Sequence, residues 1–223
     1  MTIVKSQFKQ LHSELLAFGQ ECQAQSIVVD WFSRFFIAPP SCQFIEGCQT
    51  THFYEFLKIF GASLKAQKLT NIIARTFKRH SSSELERLLN QQYVALFDGP
   101  KGLYTVNPYE SYYYDVHGRL FQQPYIEMLS LMEALDVSVM SSCKEPPDHL
   151  AIELATLAEA LRQENITSIS LMKQCLIKWV SKMNEILQQV GSLTFYAPLL
   201  ELLIIYLSSL DLHVLFEKPS AQN

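Results

Sequence analysis

Glu145-Pro146-Pro147-Asp148-His149-Leu150-Ala151-Ile152-Glu153 is the stretch on which the reading of this chain turns. Pro147 pushes Pro146 out of the α region and itself suits the first helical position, where no amide hydrogen is needed. The spacing therefore predicts a helix over about 147–163, with Asp148 and His149 in its first turn. Unpaired backbone amides and the positive end of the macrodipole favour a carboxylate there and disfavour an imidazolium, so His149 is expected to be neutral at pH 7. Behind them Leu150, Leu154, Leu157 and Leu161 recur at helical spacing and form an apolar stripe. His149 and Glu153 are expected one turn apart on its flank.

The same period runs outward in both directions, without the alternation that marks strands, so the expected fold is all-α. The pattern predicts a bundle-like arrangement of about nine to ten helices in two lobes. The lobes are residues 1–140 and 147–223, joined by a hinge at 141–146, where Met140 to Lys144 is a polar, small-residue link. Helices are expected over about 3–20 (Phe8, Leu11, Leu15, Phe18), about 24–38 (Ile27, Trp31, Phe35), about 50–61 and about 66–79. Ser81-Ser82-Ser83 followed by Glu84 and Glu86 is an N-terminal signature. It opens a face of Leu85, Leu88, Leu89, Tyr93, Leu96 and Phe97 that stops at Gly99-Pro100. Further helices are expected over about 120–135, 168–190 and 193–212. Trp31, Trp179 and Phe195 lie on apolar stripes and are expected in the core.

Residues 98–118 hold three of the seven glycines, two prolines and five tyrosines, which reads as a long loop. In an extended segment Tyr112 and Tyr114 would point opposite to Tyr113, leaving at least one ring available to a partner. Long ordered loops in compact domains tend to carry function.

Composition narrows the classes. With 223 residues, 48% hydrophobic and 18% charged, the chain can bury a sizeable core and is not disordered. A net charge of −4 argues against nucleic acid as a partner. Cys22, Cys42, Cys48, Cys143 and Cys175 are an odd number with no C-x-x-C pair, which fits reduced thiols better than a disulfide framework or a zinc site. No secretory signal is visible at the start, so a cytoplasmic location is expected. Pro198 and Glu201 interrupt the apolar run from Ser192 to Leu210, which therefore reads as a buried helix and not a membrane span.

The EPPDH string resembles the E-P-x-D-H signature of the TorD/DmsD family, cytoplasmic chaperones of molybdenum-containing redox enzymes. Tyr93 to Pro100 is similar to the family's aromatic-x-x-Leu-Phe-x-Gly segment, and Asn107 to Tyr113 to its Pro-aromatic-x-Ser loop. Trp31 to Pro40 is similar to its early proline-ended helix, and Phe195-Tyr196-Ala197 to the start of its last helix. That last helix is nearer the TorD branch than the DmsD one. The sequence departs from the family at Gln92, where an acidic residue is common, at Lys101, where an apolar one is, and at Tyr109 in place of Trp.

The resemblance implies a chaperone that binds the twin-arginine leader and apoprotein of a molybdoenzyme, such as a trimethylamine N-oxide reductase, until cofactor insertion, delaying export. It also implies weak guanine-nucleotide binding, for which no phosphate loop exists and no residue is assigned; no other cofactor is expected. A leader carries an Arg pair followed by an apolar segment, so its receptor needs carboxylates and an aromatic groove. Glu145, Asp148 and Glu110 are the candidate acids. Tyr93, Phe97, Pro108, Tyr109 and Tyr112 are the candidate groove, with Ser111, Pro146 and His149 beside them. Exchange of the C-terminal lobe through the hinge would give a homodimer.

Two other classes fit parts of the pattern. A helical scaffold binding another folded partner would share the aromatic exposure without a preference for paired arginines. A metal-dependent hydrolase would use His149 with Asp148 and Glu153, yet a catalytic zinc needs about three protein ligands and no second cluster accompanies them. No nucleophile motif is present, and an enzyme is not expected.

Overall fold

The computed structural model describes residues 2–98, 105–191 and 194–210, with side chains from residue 19 onward. Among these, every regular element is helical. The order is α1 (Thr2–Ile37), α2 (Cys42–Gly47), α3 (Thr51–Ser63), α4 (Gln67–Arg79), α5 (Ser82–Tyr93), α6 (Glu110–Tyr114), α7 (Gln123–Ala134), α8 (Leu150–Arg162), α9 (Ile166–Gly191) and α10 (Tyr196–Ser209). A π turn, Val94–Asp98, continues α5. The side chains of Phe8, Leu11, Leu15 and Phe18 lie outside the described residues, as do Gly99, Pro100, Lys101, Ser192 and the positions beyond Leu210.

The fold is all-α, but several boundaries differ from the sequence reading, each for a local reason. The two helices expected over 3–20 and 24–38 are one, α1. Its buried face includes Ser26, whose hydroxyl donates to the Gln23 carbonyl at 2.8 Å. A polar residue satisfied by its own helix interrupts the apolar count without interrupting the helix. α2 went unread because six residues are too few to display a period. Ser41 caps it, and Glu86 of α5 accepts the Cys42 amide at 2.9 Å. At α5 the expected start is present as a capping box, Ser81 and Glu84 each accepting from the other's backbone.

Helix α8 lies at the centre, packed along α1 on one side and α9 on another, while α10 packs against both α9 and α4. It is buried nearly all round, as central helices are. Ser33 of α1 donates to the Ala151 carbonyl at 2.8 Å, and Arg162 pairs with Asp30 where the two helices run together again. A cluster of aromatic rings lies among the aliphatic residues of the core. Phe32, Phe35, Phe36, Phe77 and Tyr196 are fully buried, and Phe97 meets Tyr196 edge-on with ring centroids 5.1 Å apart. Such pairs add about 0.5–1.5 kcal/mol beyond the area they bury. Gln92 accepts the Phe195 amide at 2.8 Å and so ties α5 to the start of α10.

Three helices end in the same motif without a glycine. After α3, α7 and α8 the residues Lys65, Asp136 and Glu164 adopt φ of 55°, 54° and 52°. The following amides return to Gly61, Met132 and Ala160 at 2.8, 3.0 and 2.9 Å. These are Schellman closures in which a side chain bears the left-handed strain that glycine would avoid. Asp136→Gly, at an exposed position, should raise stability by up to about 1 kcal/mol in denaturant melts. At the α3–α4 crossing the opposite holds: a Cβ on Gly61 would lie 2.1 Å from Thr70 Oγ1. Gly61→Ala should therefore cost about 1–3 kcal/mol in the same melts.

Candidate functional site

Residues 108–111 and 146–150 are clasped together by their backbones. Leu150 donates its amide to the Pro108 carbonyl at 2.8 Å, and the Glu110 amide donates to the Asp148 carbonyl at 2.9 Å. Tyr109 and His149 thereby form an antiparallel bridge, the only one among the described residues. Asp148 Oδ2 accepts the Ser111 amide at 3.1 Å, and Ser111 Oγ accepts the Gln122 amide at 3.0 Å, which extends the clasp toward α7.

The clasp sets where α8 begins. His149 is held extended at φ −78°, ψ 135°, and is the N-cap, its Nδ1 accepting the Ala151 amide at 3.1 Å. The helix expected from 147 starts instead at Leu150, because the backbones of Asp148 and His149 serve the bridge. Pro146 accepts the His149 amide at 3.0 Å, so the two prolines shape a turn ahead of the helix. The imidazole is buried, and that burial, more than the helix dipole invoked from sequence, lowers its pKa from 6.5 to about 4. A neutral ring suits its place as acceptor for the Ala151 amide.

Glu153 is not on a solvated flank but inside, 1% exposed. The Trp179 indole donates to its Oε2 at 2.9 Å, and Tyr113 stacks on that indole with centroids 5.6 Å apart. No described group donates to Oε1. Burial, then the neighbouring charge of Glu110, raises the Glu153 pKa well above the usual carboxylate range, and burial raises Glu110 as well. Burial beside a like charge favours the protonated acid, most strongly at Glu153, the deeper of the two. Residues 110–114, expected as loop, form α6. Within it Tyr113 is buried, Tyr112 half-buried and Tyr114 exposed.

The sequence candidates take different places around the clasp. Tyr109, Glu145 and Pro146 are half-buried together, with the Tyr109 hydroxyl donating to Glu145 Oε2 at 2.9 Å and the Tyr109 ring edge-on to His149 at 5.2 Å. Pro108, Ser111, Asp148 and His149 are buried and build the clasp. Tyr93 and Phe97 sit in the core beneath, the Tyr93 hydroxyl donating to the Phe36 carbonyl at 3.0 Å. Glu110 faces away from Glu145 toward Glu153. The partnership of Glu153 with Trp179 was not read from sequence; its one signal is a carboxylate set among the apolar residues Leu150, Ile152, Leu154 and Leu157. Among the described residues no group of three or more His, Cys, Asp or Glu is placed to hold a metal ion, and no helix is long and apolar enough to cross a membrane.

A family model described as nitrate reductase delta subunit matches residues 62–190. The chain is 28% identical over 208 residues to the chaperone protein TorD of Vibrio parahaemolyticus, covering 86% of this chain and 94% of that one. It is 21% identical over 208 residues to the chaperone protein TorD of Aliivibrio salmonicida, covering 87% and 95%. To the one of Vibrio atlanticus it is 30% identical over 111 residues, covering 44% and 52%.

His149 makes stability depend on pH. The unfolded imidazole takes its proton near 6.5 and the folded one only near 4, so the unfolded state binds more protons between those values. Stability is complete above about 6.5 and falls as pH drops toward 4, by on the order of 3 kcal/mol. Asn can cap the helix in the same way without titrating. His149→Asn should therefore flatten the fall measured by denaturant unfolding between pH 7 and 4.5.

Proposed function

The chain belongs to the TorD/DmsD family of chaperones, and we propose that it serves one molybdopterin-dependent reductase, binding its twin-arginine leader and apoprotein in the cytoplasm. Held in this way, the client is kept from export until its cofactor is inserted. The similarity to proteins named TorD favours a trimethylamine N-oxide reductase as client. The role is one of binding, and no residue is assigned a catalytic part.

The observation that carries the proposal is the clasp, which brings an aromatic, a proline and a carboxylate from distant parts of the chain to one place. Glu145 is half-buried beside the Tyr109 hydroxyl, an arrangement that holds a carboxylate in position for a guanidinium. The ring of Tyr109, backed by His149, offers a rigid apolar surface for the segment after the arginines. Asp148 and His149 act here by positioning. One fixes the register of the 108–111 segment through the Ser111 amide, and the other caps α8 and supports the Tyr109 ring.

A synthetic peptide bearing an Arg pair followed by an apolar segment should bind the full chain in calorimetry. Charge-assisted contacts of about 1.5–3 kcal/mol each imply that Glu145→Lys weakens this binding by tenfold or more, with the helical circular dichroism unchanged. Equal binding of a peptide with Lys in place of both arginines would count against the leader as ligand, as would full affinity in Glu145→Lys.

A further inference from the structure

Between α7 and α9, beside Glu110, lies a cavity of about 570 Å³. Its lining is mostly apolar, with Leu131, Met172 and the exposed side chains of Ile126 and Leu171, while Gln123, Glu127 and Ser130 of α7 add polar groups. Its polar end holds the Glu110 and Glu153 carboxyls. Glu153 Oε1, on a residue 1% exposed, receives a hydrogen from no described donor. An apolar shaft leading to a buried pair of carboxyls is complementary to one kind of group: a planar cation carried on a hydrocarbon stem. A guanidinium presents paired N–H groups to two oxygens at once, where an ammonium offers a point charge.

We infer that this cavity is a subsite for one arginine side chain of the client peptide, whose guanidinium meets the Glu110 and Glu153 carboxyls at its acidic end. The inference rests on the leader-binding reading and adds to it a second acidic contact, separate from Glu145. A bound cation favours the ionised form of both acids, so a proton held by the pair leaves to solvent and both carboxylates face the guanidinium. Other charges around the pair are few. Glu127 of α7, Asp148 ahead of α8, and Cys175 and Lys178 of α9 face it, so the acids outnumber the single cation.

The test uses n-hexylguanidinium and the Arg-pair peptide on the full chain. Hexylguanidinium should bind one to one with release of about one proton, read by calorimetry in buffers of different ionisation enthalpy. Its affinity should fall about tenfold from pH 7 to pH 6, since the pair must lose its proton to accept the ligand. Cys175 also lines the cavity, so the ligand should slow its alkylation, followed by peptide mass mapping, while Cys42 and Cys143 react at their usual rates. Glu153→Gln keeps an acceptor for the Trp179 indole but has no proton to release. It should lose affinity for both probes at least tenfold and abolish proton release, and Glu110→Gln answers the same question should the first variant not fold. Unchanged affinity in these variants, or an unprotected Cys175, overturns the subsite. Peptide binding lost in Glu145→Lys but intact in Glu153→Gln overturns it while leaving the leader reading in place. Hexylguanidinium binding that protects Cys175, with no peptide binding at all, overturns the leader reading and the peptide as occupant.

Discussion

Two backbone hydrogen bonds, from Leu150 to Pro108 and from Glu110 to Asp148, hold the antiparallel bridge between Tyr109 and His149, and the surrounding site depends on them. A buried amide left without an acceptor costs about 1–3 kcal/mol, so the residues that open the central helix must find partners outside it. Pro108 and His149 supply them, one through its carbonyl and the other through its ring. Once α8 starts in that way, Tyr109 is fixed against His149 and Glu145, and Glu110 is turned toward Glu153. The geometry of both acidic contacts follows from how a helix start is satisfied.

The second constraint is the placement of a carboxyl in the middle of the core. Glu153 occupies a position on α8 where every neighbour along the helix is buried, and its two oxygens meet different fates. One accepts from the Trp179 indole and the other faces Glu110 with no donor. An isolated buried carboxylate is far more costly than a neutral acid, and the rise in its pKa is the expected response. A purely apolar residue would serve α8 better, so this acid weakens the packing of the helix it sits in while equipping the cavity beside it.

Much of the fold was legible because the helices are long and their apolar residues regular. The Ser81 capping box, the stripes of α9 and the buried helix after Phe195 needed no tertiary information. What sequence could not convey were events decided at a distance. Pro147 suggested a helix from its own position, yet pairing with residues 108–110, some forty positions away, moved the start to Leu150. Glu110 to Tyr114 looked like extended chain, yet α6 forms where Tyr113 stacks on Trp179. The aromatic and acidic residues named from the sequence are at the clasp or directly beneath it. Their division into exposed and buried members, and the second carboxyl pair, depend on which side of each backbone turns inward.

Because Glu110 and Asp148 are bonded to each other, the chain between them returns to its starting point. That segment, which carries α6, α7 and the link before Glu145, is a closed ring whose ends are fastened independently of its contents. Lengthening a ring already closed adds little entropic penalty, roughly 0.6 kcal/mol for a doubling. Changes of length within this ring are therefore cheap in chain entropy, while the knot that anchors it and the central helix need not move.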